Sequence, residues 1–255
     1  MQKIKNIIKS VISITYFPWL VTVALRKLVK STNSINFTPE EAYNWTEQFR
    51  VGPIVRGFNI NFRSSQIKEE IISLMTEVRE RAPRIVLEIG TATGGTLFML
   101  AKAAAPDAKI ISIDLPFGRY GAGYLKYRIP LMQAFASSNQ TLELLRLDSH
   151  SQETINELKE IIGDEKIDFL FIDGDHSYEG VKSDFENYYP LVKPGGLIAF
   201  HDIVTNDLDP SFGTQRFWQE IKGRFEHKEY IKENRGNSGC GIGLIKKPAI
   251  TIKQI

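Results

Sequence analysis

Cys240 is the only cysteine in 255 residues, so no intrachain disulfide can form. There are four histidines, and no Cys/His run has zinc-finger spacing. A disulfide-stapled secreted module and a zinc-finger fold are thereby excluded, and a reducing, cytoplasmic compartment is expected. Net charge is scarce as well, at +2 from 32 basic and 30 acidic residues, but it is unevenly spread. Residues 1–30 hold Lys3, Lys5, Lys9, Arg26, Lys27 and Lys30 and no acid, giving +6, while 26 basic and 30 acidic residues leave the rest at −4. A basic tip on a mildly acidic body is not the footprint of a nucleic-acid-binding domain, and no nucleic-acid partner is expected. Long hydrophobic runs are missing too. Ser10–Leu25 is uncharged for sixteen residues, interrupted by Ser13, Thr15, Pro18 and Thr22, whereas a membrane span takes about 20 apolar residues. With 42% hydrophobic and 24% charged residues, the composition is that of an ordinary globular protein.

What is present begins with the tip. Ile4, Ile7, Ile8 and Val11 recur at helical spacing among Lys3, Lys5, Asn6 and Lys9, and Tyr16, Phe17 and Trp19 follow. The pattern suits a helix in the interface of an anionic membrane, which would place the protein at the inner face of that membrane. It equally suits an arm packing on its own domain or on a second copy in a homo-oligomer. Residues 1–35 are read as this basic segment, 36–63 as a linker or cap, and 64–248 as the main domain.

From about Ser64 a helical pattern runs through Ile67, Ile71, Leu74, Met75 and Val78 and stops before Pro83. Strands are then predicted at Arg84–Ile89, Lys109–Leu115, Thr141–Leu147, Ile167–Ile172 and Gly196–Phe200. Helices are predicted between them at Thr96–Ala104, Tyr124–Ala136, Gln152–Ile162 and Tyr178–Leu191. Runs such as IVLEI, FLFI and LIAF are apolar throughout and need cover on both faces, the mark of a parallel sheet. The fold class is therefore α/β, a doubly wound, mostly parallel sheet with an N-terminal helical extension. Phe225–Lys232 and Gly241–Lys247, joined by NRGNSGC, add a C-terminal antiparallel hairpin and bring the count to seven strands.

In such sheets ligands bind beyond the carboxyl ends of the strands, where the strand order reverses. The first strand ends in Glu88-Ile89-Gly90-Thr91-Ala92-Thr93-Gly94, a glycine turn in which Thr93 or Thr96 can cap the next helix. Gly90 and Gly94 are four apart, which is not the GxGxxG spacing. The second strand ends in Asp114-Leu115, placing a carboxylate where it can accept both hydroxyls of a ribose. Asp148-Ser149 follow the third strand, Asp173, Asp175 and His176 the fourth, and His201-Asp202 the fifth. Two acids and two histidines on neighbouring strand ends can hold a divalent cation or handle a proton.

VLEIGTATGGT resembles the first motif of the class I S-adenosylmethionine-dependent methyltransferases, IISIDLP the second, and the Asp148 turn their adenine-side acid. The resemblance implies a Rossmann-like methyltransferase fold with S-adenosylmethionine as cofactor. Glu88, Gly90, Thr91 and Gly94, with Thr93 in the same turn, would line the methionine and ribose portion. Asp114, beside Leu115, would hold the ribose, Asp148 and Ser149 would face the adenine, and Asp173 would close the cofactor edge. FIDGDHSYEGV followed by KPGGLIAFHD is similar to the macrocin- and novobiocin-type sugar O-methyltransferases and to cephalosporin-hydroxylase-like proteins. In that group acids on these two strand ends bind magnesium, which fixes vicinal hydroxyls of the acceptor. Asp173 and Asp202 match metal ligands, His201 stands where the first acid of a pair would be, and His176 matches the general base, with Asp175 competing.

Imidazole at 201 suits manganese or iron better than magnesium; alternatively His201 is itself a base and no metal binds. The acid-alanine-acid-lysine and Asp-Asn sequences of the catechol-type relatives are absent. Phe117–Met132 is read as a lid, with Arg119, Tyr120, Tyr124 or Arg128 on the substrate. The expected function is O-methylation of a hydroxyl on a small-molecule acceptor, a sugar or glycoside. The alternatives are N-methylation, another reaction at the same site, or a non-catalytic cofactor-binding partner in a membrane-associated complex.

Overall fold

Strands apolar along their whole length fold only where both faces are covered, and here helices supply the cover. The computed structural model describes residues 17–32, 36–52, 59–117, 124–205, 209, 211–232 and 240–249. The chain opens with helices α1 (Phe17–Thr32) and α2 (Pro39–Gln48), the short strands β1 (Arg50–Val51) and β2 (Ile60–Asn61), and helix α3 (Lys68–Arg81). The alternating part follows as β3 (Ile85–Ile89), α4 (Gly95–Ala103), β4 (Lys109–Ile113), α5 (Ile129–Gln133), β5 (Thr141–Leu145), α6 (Gln152–Ile162), β6 (Ile167–Ile172), α7 (Tyr178–Tyr188) and β7 (Val192–His201). Helix α8 (Thr214–Ile221) and strands β8 (Glu226–Tyr230) and β9 (Ile242–Lys246) complete it.

β3 to β9 form one seven-stranded sheet in the order β5-β4-β3-β6-β7-β9-β8. β3 to β7 are mutually parallel, and β9 runs antiparallel to both β7 and β8. This is the doubly wound sheet with its antiparallel hairpin that the sequence predicts. Strand order reverses between β3 and β6, which fixes where a ligand crevice opens. Alternate residues feed two cores: Val86, Ile110 and Phe169 face α1 to α5, while Leu87, Ile111 and Leu170 face α6 to α8. On the first side Trp45 of α2 stacks on Phe98 of α4 at 4.0 Å between centroids. On the second, Trp218 of α8 is fully buried and its indole N–H donates to Glu229 at 2.6 Å.

Three departures from the sequence reading have local causes. The helix expected over 124–136 shrinks to a 3-10 turn at Lys126–Arg128 followed by α5, because Pro130 can occupy only the first turn of a helix. α2 lies inside the segment read as linker or cap. Its signal is the capping box in which Thr38 accepts from the Glu41 N–H while Glu41 accepts from the Thr38 N–H, with Pro39 in the first turn. The third, α8, is announced by no side-chain cap at Gly213.

In α1, Leu20, Ala24 and Leu28 recur every four residues, and all three are fully buried against the core. Trp19 and Val29 face outward. The helical periodicity read for residues 4–11 lies outside the described residues, as do Arg119, Tyr120 and most of the NRGNSGC turn. No helix among the described residues is long and apolar enough to cross a membrane.

Candidate active site

The turn after β3 is tied to both neighbouring strands. The Gly90 N–H donates to the Ile113 carbonyl at 2.9 Å, and the Asp173 N–H to the Ile89 carbonyl at 2.8 Å. Gly90 sits at φ +93°, and a Cβ there would lie 2.0 Å from the Asp173 carbonyl oxygen. Only glycine allows the ends of β3 and β6 to meet this closely. Beyond it, the Thr91 and Ala92 N–H groups donate to Asp114 Oδ2 at 3.2 and 2.8 Å. Burial pushes the Asp114 carboxyl up to about 6, against the pull of those two N–H groups and of Arg146. Glu88 is wholly buried behind the turn. Burial, and then the charges of Asp173 and Asp114, raise its carboxyl well above the carboxylate range. Burial thus raises both neighbouring acids, Glu88 further than Asp114.

A cleft of about 550 Å³ opens over these strand ends. Of the residues predicted for the cofactor, Gly90, Thr91, Asp114, Leu115, Asp148, Ser149 and Asp173 line it. Glu88, Thr93 and Gly94 stand behind the wall: the Thr93 hydroxyl donates to the Arg63 carbonyl at 2.5 Å, and Gly94 is the left-handed N-cap of α4. Of the lid candidates within the described residues, Tyr124 is buried, and Arg128 donates to the Asn61 and Thr93 carbonyls at 2.8 and 3.2 Å. Both fasten the fold and neither lines the cleft.

Asp173, Asp175, His176, His201 and Asp202 form the other half of the cleft wall. His176 Nδ1 is 2.5 Å from Asp202 Oδ2, and its Nε2 is 3.8 Å from Asp173 Oδ1. His201 Nδ1 lies 3.0 Å from Asp173 Oδ1 and 3.4 Å from Asp202 Oδ1. Burial alone would favour neutral imidazoles, but the Asp202 contact and the two carboxylate charges raise His176, and Asp173 and Asp202 hold His201 well above the usual range. Burial likewise opposes a charged Asp202, yet His201 and His176 hold its carboxyl far below the usual range. Asp175 is engaged differently: its Oδ1 accepts from the Ser177 N–H at 2.9 Å, at the capped start of α7.

Several cleft residues escape the sequence reading. Gln66 donates to Asp173 Oδ2 at 2.6 Å and accepts from the Thr96 hydroxyl at 2.6 Å. Phe212 lies 4.7 Å from the His176 ring, centroid to centroid. His150 lines the cleft with Nε2 3.3 Å from Oδ1 of the wholly buried Asp184, a pairing that pushes its pKa up to about 9. Cys240 donates its backbone N–H to Asp202 Oδ1 at 3.1 Å. No periodicity marks these residues, because each reaches the cleft from a loop whose partner is distant in sequence. For Gln66 and Asp173 the separation is 107 residues.

The family profile described as a methyltransferase domain matches residues 87–203. An uncharacterised protein of Sinorhizobium fredii is 30% identical over 142 residues, 54% of this chain and 15% of its own length. Caffeoyl-CoA O-methyltransferase 1 of Arabidopsis thaliana is 29% identical over 128 residues, 47% of this chain and 43% of its own length. The chain thus spans less than half of either relative. Among solved structures, the Bacillus cereus O-methyltransferase in complex with SAH aligns with a TM-score of 0.55 at 19% identity, covering 91% of this chain and 100% of that one. The apo TDP-rhamnose 3'-O-methyltransferase of calicheamicin biosynthesis aligns with a TM-score of 0.52 at 17% identity, covering 88% of this chain and 93% of that one. At these identities the likeness is one of fold. The matched span starts in β3 and ends just past β7, so it takes in the carboxyl ends of β3 to β7, and over it the chain is similar to methyltransferase domains on a Rossmann-like sheet.

Proposed function

We propose that the chain is an S-adenosylmethionine-dependent O-methyltransferase acting on a hydroxyl of a small molecule, a sugar or glycoside. The reading rests on one juxtaposition: Asp114, the proposed ribose acceptor, and the His176–Asp202 pair at 2.5 Å line the same cleft. A volume of about 550 Å³ lies within the roughly 300–1,000 Å³ usual for small-ligand sites. The cofactor fits the donors present. Asp114 offers a buried acceptor to the ribose hydroxyls, and Asp148-Ser149 offer polar groups on the adenine side. When bound, S-adenosylmethionine supplies a methyl group already activated as a sulfonium.

The protein's part is to align the acceptor and take its proton. With Asp202 ionised, His176 Nδ1–H donates to Oδ2, and Nε2 is the proton-accepting atom whenever the ring is neutral. Asp175, tied to the Ser177 N–H, is the weaker candidate for the base. A divalent cation also fits the donors at this edge. Nδ1 of buried His201 faces Asp173 and Asp202 while its Nε2 lacks a hydrogen-bond partner, and Asp173, His176 and Asp202 offer ligand atoms within 4.8 Å of one another. Asp173, His201 and Asp202 are the proposed ligands, and an ion there would supply Lewis acidity to an acceptor hydroxyl. Its nitrogen and oxygen donors favour manganese or iron over magnesium.

Calorimetric titration with S-adenosylmethionine and its demethylated product tests the cofactor, and a mass gain of one methyl across a glycoside panel tests the acceptor. Absence of cofactor binding overturns the reading. A catechol-type acceptor is the second reading, favoured by the caffeoyl-CoA relative, and methylation of catechol esters but of no glycoside, with both classes assayed side by side, would select it.

The outer face of α1, with Trp19, Arg26 and Lys30, is further proposed to meet an anionic membrane. Cosedimentation with anionic liposomes, lost at high salt, is expected. Arg26→Glu with Lys30→Glu should weaken it, at about 1 kcal/mol per basic residue near the surface. Binding unchanged by salt and by that charge reversal overturns this part.

A further inference from the structure

Cys240 belongs to none of the steps above, yet it lies at the crowded end of the cleft. It stands at φ +72° and Asp202 at φ +59°, two of five non-glycine residues with left-handed backbone among the described residues. Such conformations cost of order 1–3 kcal/mol each and persist only where the surroundings impose them. Here the surroundings are visible. Beyond the paired ends of β7 and β9, the Ile203 N–H donates to the Gly241 carbonyl at 3.3 Å and the Val204 N–H to the Cys240 carbonyl at 3.1 Å. The Cys240 N–H closes the arrangement on Asp202 Oδ1. Its side chain is thereby fixed beside two proposed ligands, and His201, Asp202 and Cys240 offer ligand atoms within 4.8 Å of one another. His201 is only 6% exposed, and its Nε2 has no hydrogen-bond partner.

A thiol, an imidazole and a carboxylate meeting at one point form a donor set with a preference of its own. Thiolate and imidazole select zinc, cobalt or ferrous iron, whereas magnesium takes oxygen ligands and seldom sulfur. We propose that Cys240 is a thiolate ligand, with His201 and Asp202, of the divalent ion at this edge, and that the ion is zinc, cobalt or ferrous iron and not magnesium. The proposal rests on the metal reading given under Proposed function and adds the sulfur ligand and the class of ion to it.

The chain holds one cysteine, so any thiolate signal reports on position 240 alone. The full chain, reduced and stripped with chelator, is titrated with cobalt(II) chloride and followed by absorption and by calorimetry. The expected result is a near-ultraviolet thiolate-to-cobalt charge-transfer band together with visible bands. In Cys240→Ser the charge-transfer band should be lost while the visible bands remain. A second measurement needs no variant: zinc should protect the wild-type thiol from a chromogenic disulfide reagent, and magnesium should not. If cobalt binds with visible bands but no charge-transfer band, and zinc leaves the thiol reactive, the sulfur ligand is refuted while the metal reading stands. If neither cobalt, zinc nor manganese binds by calorimetry, the metal reading fails and this inference with it.

Discussion

Asp114 and Asp202 end strands on opposite halves of one sheet edge, and each is 7% exposed. The Asp114 carboxyl is nevertheless pushed up to about 6, while that of Asp202 is held far below the carboxylate range. Equal burial with opposite outcomes shows that partners, not depth, set the charge. Asp114 meets two backbone N–H groups, whose dipoles only partly replace lost water. Asp202 meets two imidazoles, whose raised pKa values are the other side of the same interaction. The Asp114 end of the cleft therefore holds its proton more readily than a free carboxylate would, while the Asp202 end holds paired charge.

The strongest way to break this contrast is to remove the proposed base, His176. His176→Ala should lower turnover by about 10²–10⁴-fold with cofactor affinity unchanged, read by single-turnover kinetics beside calorimetry. Asp202→Asn should destabilise the fold by about 3–5 kcal/mol in chemical denaturation, because both imidazoles lose a buried counter-charge. An unaltered midpoint would show that Asp173 alone balances them.

On the other half, Asp114→Ala should weaken cofactor binding by about 1.5–3 kcal/mol while the protein stays folded. In the wild type, affinity should fall as pH drops below about 6, since the acid then loses the acceptor form the ribose requires. Because the folded-state pKa exceeds the ordinary carboxyl value of 3.8, ionising Asp114 costs stability as pH rises from there through about 6.

The smallest effect concerns His150, whose pKa is raised from 6.5 to about 9 by Asp184. That pairing stabilises the fold fully below pH 6.5, and its contribution is lost as pH rises through about 9. His150→Ala should remove about 1 kcal/mol at pH 6, after allowance for solvent screening, and less at pH 10. A pH-independent loss would mean that the ring acts by packing alone.

Much of this site is legible in the sequence, for a physical reason. Parallel strands buried on both faces read as apolar runs, so IVLEI, IISI, FLFI and LIAF declare both their positions and their ends, and Gly90, Asp114, Asp173 and His201 follow from those ends. Glu88 marks the limit of that logic. It belongs to the same motif, but the side chain alternates to the sealed face behind the turn, and only the packed sheet shows this. Pro130 shows another limit, since apolar periodicity predicted a helix that the imino acid postpones.

Local pattern and turn chemistry, which act over a few residues, determined the strands, most of the helices, the hairpin and which polar groups reach the sheet edge. The tertiary structure alone decided that Gln66 would grip Asp173, that His150 would pair with a buried Asp184, and that the backbone of Cys240 would close on Asp202. Those contacts join residues from 34 to 107 positions apart (Asp184 and His150 being the nearest pair), and no local preference encodes them. They form because a doubly wound sheet gathers its loops at one edge, where buried polar groups must find partners among whatever residues arrive.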